Sequence, residues 1–517
     1  MNKILKDLPA SFVVFLVALP LCMGIAIASG VPPALGIVTG IIAGILTGYL
    51  SGAPLQVSGP AAGLTVLVFQ IVSEHGLSAL GPIVLLAGAL QIMAGAARIG
   101  QWFRAVNPAV IYGMLSGIGV LIISSQLHVA IDGKPGGSPV ENFMALPAAV
   151  AGMVDAGTPT SLLAGALSVL TLLVIVGWDK FRPAKLSVLP APLIAVLVTT
   201  LVAYFFKLDV EFVRLPDSMV SALNIPSAAD WKILLNSTAF SAAIGLAVIA
   251  SAETLLCASA LRKMRSDAEV RYNKELVAQG VGNMVCGMVG ALPMTGVIVR
   301  STANIAGKAE TRWSAVLHGI WLLLFVMAVP QLLSYIPMAA LAAILIYTGC
   351  KLINPSIVKS LSHYGKPAVA IYTTTVVAIV VTNLLVGVLI GVAVSFARLL
   401  TLFSNLQVHS KKNDDGSVVL ELKGAATFLT LPKLAQYLEQ APPHTRVDLK
   451  FDSVFYIDHA CMDLIETQRN IHEQAGGSLH FDNSKLQMTW RTSEDGNISL
   501  PKQHSKMQQM NLSLNKA

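Results

Sequence analysis

The chain has 517 residues, of which 54% are hydrophobic and only 12% are charged, and its mean hydropathy is +0.69. Because soluble proteins carry about 25% charged residues, this composition excludes an ordinary soluble enzyme. The net charge of +7 predicts no nucleic acid partner, since basic residues in an apolar chain typically mark cytoplasmic loops. The sequence has no phosphate-binding loop and no metal-type cysteine spacing, so we expect no cofactor and no metal.

The first 400 residues have the pattern of a series of membrane spans. No charged residue occurs from Leu8 to Ser73, although about 20 apolar residues are enough for one span. Breaks at charged, Pro and Gly clusters predict an all-α polytopic membrane protein with fourteen segments: 10–29, 32–50, 60–73, 77–97, 106–127, 159–178, 188–206, 239–260, 274–290, 295–306, 313–333, 337–353, 366–384 and 386–403. Segments three and ten are too short to cross a ~30 Å hydrocarbon core, because a helix rises about 1.5 Å per residue.

Basic residues in the connections predict the orientation. They follow the even-numbered segments, as at Arg98, Lys180, Arg262, Lys308 and Lys351, whereas the odd connections carry mixed or acidic charge. By the positive-inside rule, the N-terminus is cytoplasmic, and fourteen spans return the C-terminus to the same side.

Segments three and ten lie seven apart. Since seven is odd, the second half of the chain must be inserted upside down relative to the first. We therefore predict a seven-plus-seven inverted repeat, about 10–206 and 239–403, within a transmembrane transport domain of residues 1–404. Interrupted segments at corresponding positions of two inverted halves indicate the binding site of a transporter.

Each short segment begins with a proline-containing stretch of small residues. These stretches are PLQVSGPAAGLTVLV from Pro54 and GALPMTGVIVRSTANI from Gly290. Proline disfavours helix before it and suits a helix start after it. Two facing helix N-termini offer unpaired N–H groups and about half a positive charge each, which predicts an anion site.

Two charged residues stand alone in apolar surroundings. Arg300 is the only charge from Leu276 to Gly307, and Glu253 is the only charge from Ser237 to Leu261. A charged residue inside a membrane is costly, so we expect both to be functional. Arg300 either contributes to anion binding or is structural, by snorkelling or by pairing with Glu253. Glu253 is a proton carrier, a cation ligand or a static partner of Arg300.

The chain resembles the SulP family of anion transporters, which are called sulfate permeases in bacteria. The stretches that carry the resemblance are LPLCMGIAIASGVPPALG (19–36), SGPAAG (58–63), SAETLL (251–256), NKELVAQGVGNMVCGMVGALPMTGVIVRSTANIAGKAETRWSAVLHG (273–319) and VDLKFDSVFYIDHACMDLIE (447–466). The resemblance implies a uracil-permease-like fold with a core and a gate domain. It also implies a bacterial inner membrane protein, a small inorganic anion as substrate, contact with membrane lipid and a homodimer.

Carried over position by position, the resemblance implies an anion site between segments three and ten. Its residues are Leu21, Ile25, Ser58, Gly59, Ala61, Thr295, Gly296, Val299 and Arg300. Glu253 and Cys257 match the positions that couple transport to a cation. Sodium-driven relatives have Asp and Thr there, so the Glu and Cys of this chain favour H⁺ over Na⁺. The ETLLC stretch and the short C-terminal domain, in contrast, resemble the branch that is linked with bicarbonate.

The polar C-terminal region forms a separate predicted domain. Residues 405–487 alternate like strands and are followed by helical stretches, and they resemble a STAS domain. Relatives have a Ser after the residue that matches Asp458, where this chain has His459, so we predict no phosphorylation switch. Residues 488–517 are rich in Ser, Gln, Asn and Lys, and we expect them to be disordered.

The sequence thus favours secondary active transport of a small inorganic anion, with bicarbonate first and sulfate next, by symport with H⁺ or Na⁺. Four alternatives remain open. They are an anion channel, an exchanger, a dicarboxylate or nucleobase permease of the same fold, and a membrane sensor with the STAS-like domain as its output.

Overall fold

The computed structural model describes residues 3–101, 106–136, 138–155, 159–183, 189–214, 221–265, 267, 269–413 and 415–481. The chain divides into two compact units, Met1–Val394 and Ser395–Ala517. The boundary lies inside the helix that matches the fourteenth predicted segment, about ten residues before the domain boundary that the sequence predicts at 404.

The first unit is built from helices. In chain order they are α1 (Lys3–Ala28), α2 (Pro33–Ile42), α3 (Gly48–Leu50), α4 (Thr65–His75), α5 (Leu80–Ala96), α6 (Pro108–Val129), α7 (Pro139–Asp155), α8 (Pro159–Phe181), α9 (Ala191–Phe205), α10 (Ser237–Met264), α11 (Tyr272–Met288), α12 (Ile298–Ala306), α13 (Trp313–Ala328), α14 (Met338–Leu352), α15 (Pro355–Ser362), α16 (Lys366–Val381) and α17 (Leu384–Phe403). A π-helical turn, Ala43–Thr47, joins α2 to α3. Eight of the described helices are both long and apolar enough to cross a membrane.

Thirteen of the fourteen predicted segments overlap one helix each, and the second, 32–50, covers α2, the π-helical turn and α3; the predicted fold class is confirmed. The sequence analysis missed α7 and α15. Glu141 and Pro147 made the α7 region resemble a polar connection. The α15 helix has only eight residues and begins at Asn354, whose side chain caps the backbone N–H of Ser356.

Two short strands connect the halves of the first unit. Strand β1 (Ser58–Pro60) pairs antiparallel with β2 (Met294–Gly296), with Gly59 opposite Thr295. Each strand leads directly into one of the half-helices, α4 or α12. The pairing therefore brings the two helix starts together although more than 230 residues separate them in the chain.

The helices of this unit pack in two groups. In one group, α5 packs against α10 and α11, and α1 packs against α2 and α13. In the other, α6 packs against α14 and α16, and α8 packs against α9 and α14. Helix α1 also contacts α9 and α14 and so joins the groups. This division matches the core and gate arrangement that the resemblance implies.

The second unit contains a four-stranded sheet in the order β3 (Leu406–Lys412), β4 (Val418–Ala426), β5 (Arg446–Ile457) and β6 (Ser478–Phe481). The β3–β4 pair is antiparallel and the other pairs are parallel. Helices α18 (Leu431–Glu439) and α19 (His459–Gln474) supply Leu434, Leu438 and Ile465 to the apolar core of the sheet. Asp458 caps α19 by accepting from the Cys461 N–H. The predicted tail, 488–517, lies outside the described residues.

Candidate functional site

The two half-helices begin in the same way. Ala61 is extended, with φ −100° and ψ 125°, and a 3₁₀ turn (Ala62–Leu64) follows it before α4. Val297 is extended, with φ −102° and ψ 116°, and α12 follows directly. No side chain caps either start, and no acidic residue lies in either first turn. Both starts therefore keep the positive dipole end that attracts an anion, although the Glu253 carboxylate lies at the Gly63 N–H of the first start.

Arg300 lies on α12 and is completely buried, with 0% of its surface exposed. Its Nη2 donates to Cys22 Sγ at 3.3 Å, whereas Nε and Nη1 have no hydrogen-bond partner among the described residues. No ion pair to Arg300 occurs in the described part of the chain. The structure therefore contradicts both structural alternatives for Arg300, because the side chain neither snorkels to the surface nor pairs with Glu253.

The guanidinium of Arg300 packs against the back of β1. A Cβ atom at Gly59 would collide with Nη1 and Cζ of Arg300. Gly59 is therefore the residue that leaves room for the positive charge beside the strand pair. A residue with a side chain at this position would displace the guanidinium or the strand.

Glu253 lies on α10, which packs against β2, whereas Arg300 packs against β1. Its carboxylate lies beside the Thr295 side chain and the Gly63 backbone. Within the described residues, Glu253 Oε2 has no close hydrogen-bond partner, while the Thr295 side chain and the Gly63 N–H interact with the carboxylate. Because Thr295 and Gly59 are Cα partners across the strands, Glu253 and Arg300 flank the same strand pair and do not meet.

The predicted site residues fall into different environments. Leu21 and Val299 line an open cavity, and Ile25 and Ala61 are buried, each 2% exposed. The Ser58 hydroxyl is turned to α11, where it accepts from Gln279 Nε2 at 2.5 Å. Cys257 Sγ lies 3.5 Å from Ser301 Oγ on α12.

Gly296 differs from its predicted role. The resemblance implies that Gly296 belongs to the anion site, but a Cβ atom there would collide with the side-chain amide of Gln56. The space beside Gly296 is filled by the chain itself.

The cavity that reaches Leu21 and Val299 has a volume of about 500 Å³ and opens to the surface. It lies between α1 and α12 on one side and α8, α9 and α14 on the other. Arg182, Lys308 and Lys351 line it together with Asp179. Lys351 Nζ lies 3.5 Å from Asp179 Oδ2, and Tyr347 donates to the same oxygen. The cavity thus combines apolar walls with an excess of positive charge.

Sequence reasoning missed three polar residues on α11. Glu275, Gln279 and Asn283 are each fully buried, and each hydrogen-bonds to a strand or to the loop before one. Their spacing of four residues places them on one helix face, and this spacing was the available signal. Within the described residues, no group of three or more His, Cys, Asp or Glu side chains could hold a metal ion.

Two inverted halves, two half-helices that meet at paired strands, and a cavity that leads to them define a polytopic membrane transporter. The sulfate permease family matches residues 4–375, and the chain belongs to this family. It is thus an anion transporter and not an enzyme.

Individual relatives differ in the substrate that they are named for. "Putative sulfate transporter YvdB" of Bacillus subtilis is 27% identical over 501 residues, which cover 93% of this chain and 91% of that protein. "Bicarbonate transporter BicA" of a Picosynechococcus species is 25% identical over 419 residues, which cover 78% of this chain and 72% of that protein.

Two solved structures share the fold. The transmembrane domain of a cyanobacterial bicarbonate transporter BicA aligns with a TM-score of 0.66 and 23% identity, covering 75% of this chain and 98% of that chain. The inward-facing structure of the murine Solute Carrier 26 family member A9 anion transporter aligns with a TM-score of 0.75 and 16% identity, covering 95% of this chain and 87% of that chain.

Proposed function

We propose that the protein carries a small inorganic anion, bicarbonate first and sulfate next, across the inner membrane by secondary active transport. The anion binds between the N-termini of the third and tenth segments, at Leu21, Ile25, Ser58, Gly59, Ala61, Thr295, Gly296, Val299 and Arg300. The observation that carries this proposal is the β1–β2 pair, which joins two uncapped helix starts beside a buried arginine without an ion-pair partner among the described residues.

The residues of the site have distinct roles in this proposal. The backbone N–H groups at the two helix starts donate to the anion. Arg300 supplies a positive potential from behind β1, and Leu21 and Val299 form the apolar wall that faces the cavity. Ser58 and Gly59 act through the backbone, because the space beside them is occupied by Gln279 and Arg300. Gly296 supports the strand pair, because its N–H donates to Thr254 Oγ1 at 3.2 Å and Gln56 fills the space beside it.

The charge balance at the site depends on the state of Glu253. Arg300 contributes one full positive charge, and the two helix starts contribute about half a charge each. An ionised Glu253 would offset much of this, since electrostatic interactions are strong in a desolvated site. With Glu253 ionised, the net potential corresponds to about one positive charge and suits bicarbonate, whereas neutralisation of Glu253 by a cation leaves about two positive charges, which suit divalent sulfate at least as well. The charges alone therefore do not set the order of bicarbonate before sulfate. The BicA relatives agree with this order, whereas the name of YvdB favours sulfate.

The dependence of the charge balance on Glu253 supports symport of the anion with a cation. A proton or Na⁺ at Glu253 removes the negative charge beside β2, and the anion then binds more tightly on the other side of the strand pair. By linkage, the anion also increases the affinity for the cation. Thr295 Oγ1 lies beside the Glu253 carboxylate and would supply a second oxygen ligand for Na⁺. Cys257 contacts Ser301 on α12, so we propose that it supports α12 and leaves the cation to Glu253.

The position of the cavity supports an elevator-type mechanism. Its walls come from α1 and α12 of one helix group and from α8, α9 and α14 of the other. Sliding of the first group against the second would carry the strand pair and its bound ions across the barrier. The basic residues of the cavity follow segments six, ten and twelve, which supports a cytoplasmic opening and cytoplasmic termini.

The deciding experiment is uptake into proteoliposomes that contain the full chain. Labelled bicarbonate, sulfate, chloride, fumarate and uracil are each offered under an imposed pH gradient without Na⁺, and then under a Na⁺ gradient without a pH gradient. Concentrative bicarbonate uptake with either gradient is expected. Flux that only follows the anion gradient would indicate a channel, obligatory counter-transport would indicate an exchanger, and fumarate or uracil uptake would indicate the other permease classes.

We further propose that the chain is a homodimer in the lipid membrane and that the STAS-like unit affects assembly or turnover. Truncation after Ser404 is expected to leave anion binding in the protein that folds. Loss of binding in a well-folded truncation would show that the second unit shapes the site.

A further inference from the structure

Helix α11 carries a buried polar face whose side chains reach both strands. Glu275, Gln279 and Asn283 are spaced by four residues, so they follow one another along the same side of the helix, about 6 Å apart. Each is 0% exposed. A buried polar group is unfavourable unless it is hydrogen-bonded, and a membrane helix needs no such groups for packing alone. The partners of this face therefore indicate what it does.

Glu275 holds the loop that leads into β1. Its Oε2 accepts from Ser51 Oγ at 2.5 Å and from the backbone N–H groups of Gly52 at 2.8 Å and Ala53 at 3.0 Å. Its Oε1 accepts from the side-chain amides of Gln56 and Gln279, both at 2.9 Å. Gln56 in turn fills the space beside Gly296 of β2. One carboxylate thus ties the approach of β1 to α11 and, through Gln56, to the opposite strand.

Gln279 and Asn283 hold the strands themselves. Gln279 Nε2 donates to Ser58 Oγ at 2.5 Å, at the first residue of β1. Asn283 Oδ1 accepts from the Met294 N–H at 2.7 Å, and its Nδ2 donates to the Met294 carbonyl at 3.1 Å. This two-way contact imitates the pairing of a neighbouring strand. Because Ser58 and Met294 lie at opposite corners of the strand pair, the helix fixes both corners.

We infer that Glu275, Gln279 and Asn283 of α11 are the positioning residues that set the distance and register between the two helix starts, and thereby the affinity for the anion. This inference rests on the proposed function for its kinetic consequence. The three residues do not touch the anion, and they act through Ser58, Met294 and the loop 51–56.

The test compares two buried glutamines. Gln279→Met keeps the volume and removes the donor to Ser58 together with the donor to Glu275 Oε1. The matched control is Gln126→Met, because Gln126 on α6 is 1% exposed and its amide donates only to its chain neighbour Ser125 among the described residues. In proteoliposomes, Gln279→Met is expected to raise the anion KM about tenfold, the effect of one hydrogen bond. Its Vmax and Tm are expected to match those of the control.

A double-mutant cycle locates the effect. If the Gln279–Ser58 hydrogen bond is the route, Ser58→Ala combined with Gln279→Met should raise KM no more than about twofold beyond Gln279→Met alone, since both changes remove the same bond. If the KM increase in the double variant equals the product of the increases in the two single variants, the inference is overturned. An unchanged KM in Gln279→Met would overturn it as well. Asn283→Asp, which removes the donor to the Met294 carbonyl and keeps the side-chain size, should raise KM in the same way.

Hydrogen exchange provides a readout that does not need transport. In Gln279→Met, peptides that cover 51–60 should lose protection by about tenfold relative to the control, while α11 keeps its own protection. Loss of protection confined to α11 would indicate a packing role only and would overturn the inference. Anion uptake by the wild-type protein in the same vesicles tests the proposed function. Absence of that uptake contradicts the proposed function, whereas unchanged hydrogen exchange at 51–60 in Gln279→Met contradicts the positioning role.

Discussion

The two half-helices are built on the same backbone plan but differ in their polar content. Helix α12 buries Arg300, Ser301 and Asn304, and all three reach toward the first half of the chain. Ser301 Oγ accepts from the Val57 N–H at 3.0 Å, and Asn304 Nδ2 donates to the Leu55 carbonyl at 3.0 Å. Helix α4 has only Thr65 at the corresponding place, and its hydroxyl bonds to Ala62 of its own turn.

This difference shows that one half-helix supplies the charge and the anchoring, while the other supplies little more than its N-terminus. An anion site needs two facing helix starts but only one buried cation. A second arginine on α4 would double the desolvation cost without a second negative charge to balance it. Substitutions around the two half-helices should therefore have graded effects on anion affinity.

Replacing the buried charge should have the largest effect. Arg300→Met keeps most of the side-chain volume and removes the positive potential behind β1. We expect anion affinity to fall at least about a hundredfold, since charged hydrogen-bonding groups contribute a few kcal/mol when desolvated, while insertion into the membrane is retained. Binding and uptake are measured beside Arg262→Met, an exposed arginine at the end of α10. Wild-type affinity in Arg300→Met would place the anion elsewhere.

Neutralising Glu253 should separate binding from coupling. Glu253→Gln imitates the protonated carboxyl, so the variant is expected to bind anion as well as the wild type or better. Concentrative uptake should be lost, because no cation can be released and rebound. Uptake is followed with a pH gradient alone and with a Na⁺ gradient alone. If Glu253→Gln accumulates anion to the wild-type level, the coupling role is contradicted. In the wild-type protein, accumulation with only one of the two gradients identifies the coupling cation.

Two glycines of the first half lie beside the two buried charges, and their substitution tests whether Arg300 and Glu253 have separate roles. A Cβ atom at Gly59 would collide with the guanidinium of Arg300, and one at Gly63 would lie 2.8 Å from Glu253 Oε2. Gly59→Ala should therefore raise the anion KM, by about tenfold, whereas Gly63→Ala should chiefly change the dependence on the cation. Gly177→Ala, which meets no atom within 4 Å in the described structure, is the control. Identical kinetic profiles for the two variants would contradict the separation of roles.

The smallest effect should come from the anchoring hydroxyls. Ser301→Ala removes the contact to Val57 and should raise the anion KM by about threefold to tenfold, the usual range for one neutral hydrogen bond. Thr65→Val removes only a bond within the turn of α4 and should leave KM within about twofold of wild type. Uptake kinetics of both variants at equal expression provide the measurement. If Thr65→Val raises KM more than Ser301→Ala does, the side-chain hydrogen bond of α4 contributes more to anion affinity than that of α12, which contradicts the asymmetry.

Much of the architecture could be predicted from the sequence, because a membrane imposes a strong and local constraint on it. Fourteen segments, the two short spans and the family all follow from apolar length, charge breaks and quoted motifs. The composition of α7 misled the analysis because charge and proline near its start resemble those of a loop. The isolation of Arg300 and Glu253 was also visible, because hydropathy makes a single charge conspicuous.

What the charges contact was decided only by the tertiary structure. No pattern in the chain predicts that Arg300 lies behind Gly59 and beside Cys22, or that Gln56 occupies the space at Gly296, since these neighbours are 240 or more residues apart in the chain. Glu275, Gln279 and Asn283 are ordinary polar residues along one face of a helix until the strands pack against them. Apolar length determines where a segment lies in a membrane, but buried polar groups acquire their roles from hydrogen-bond partners, and those partners come together only when the two halves fold against each other.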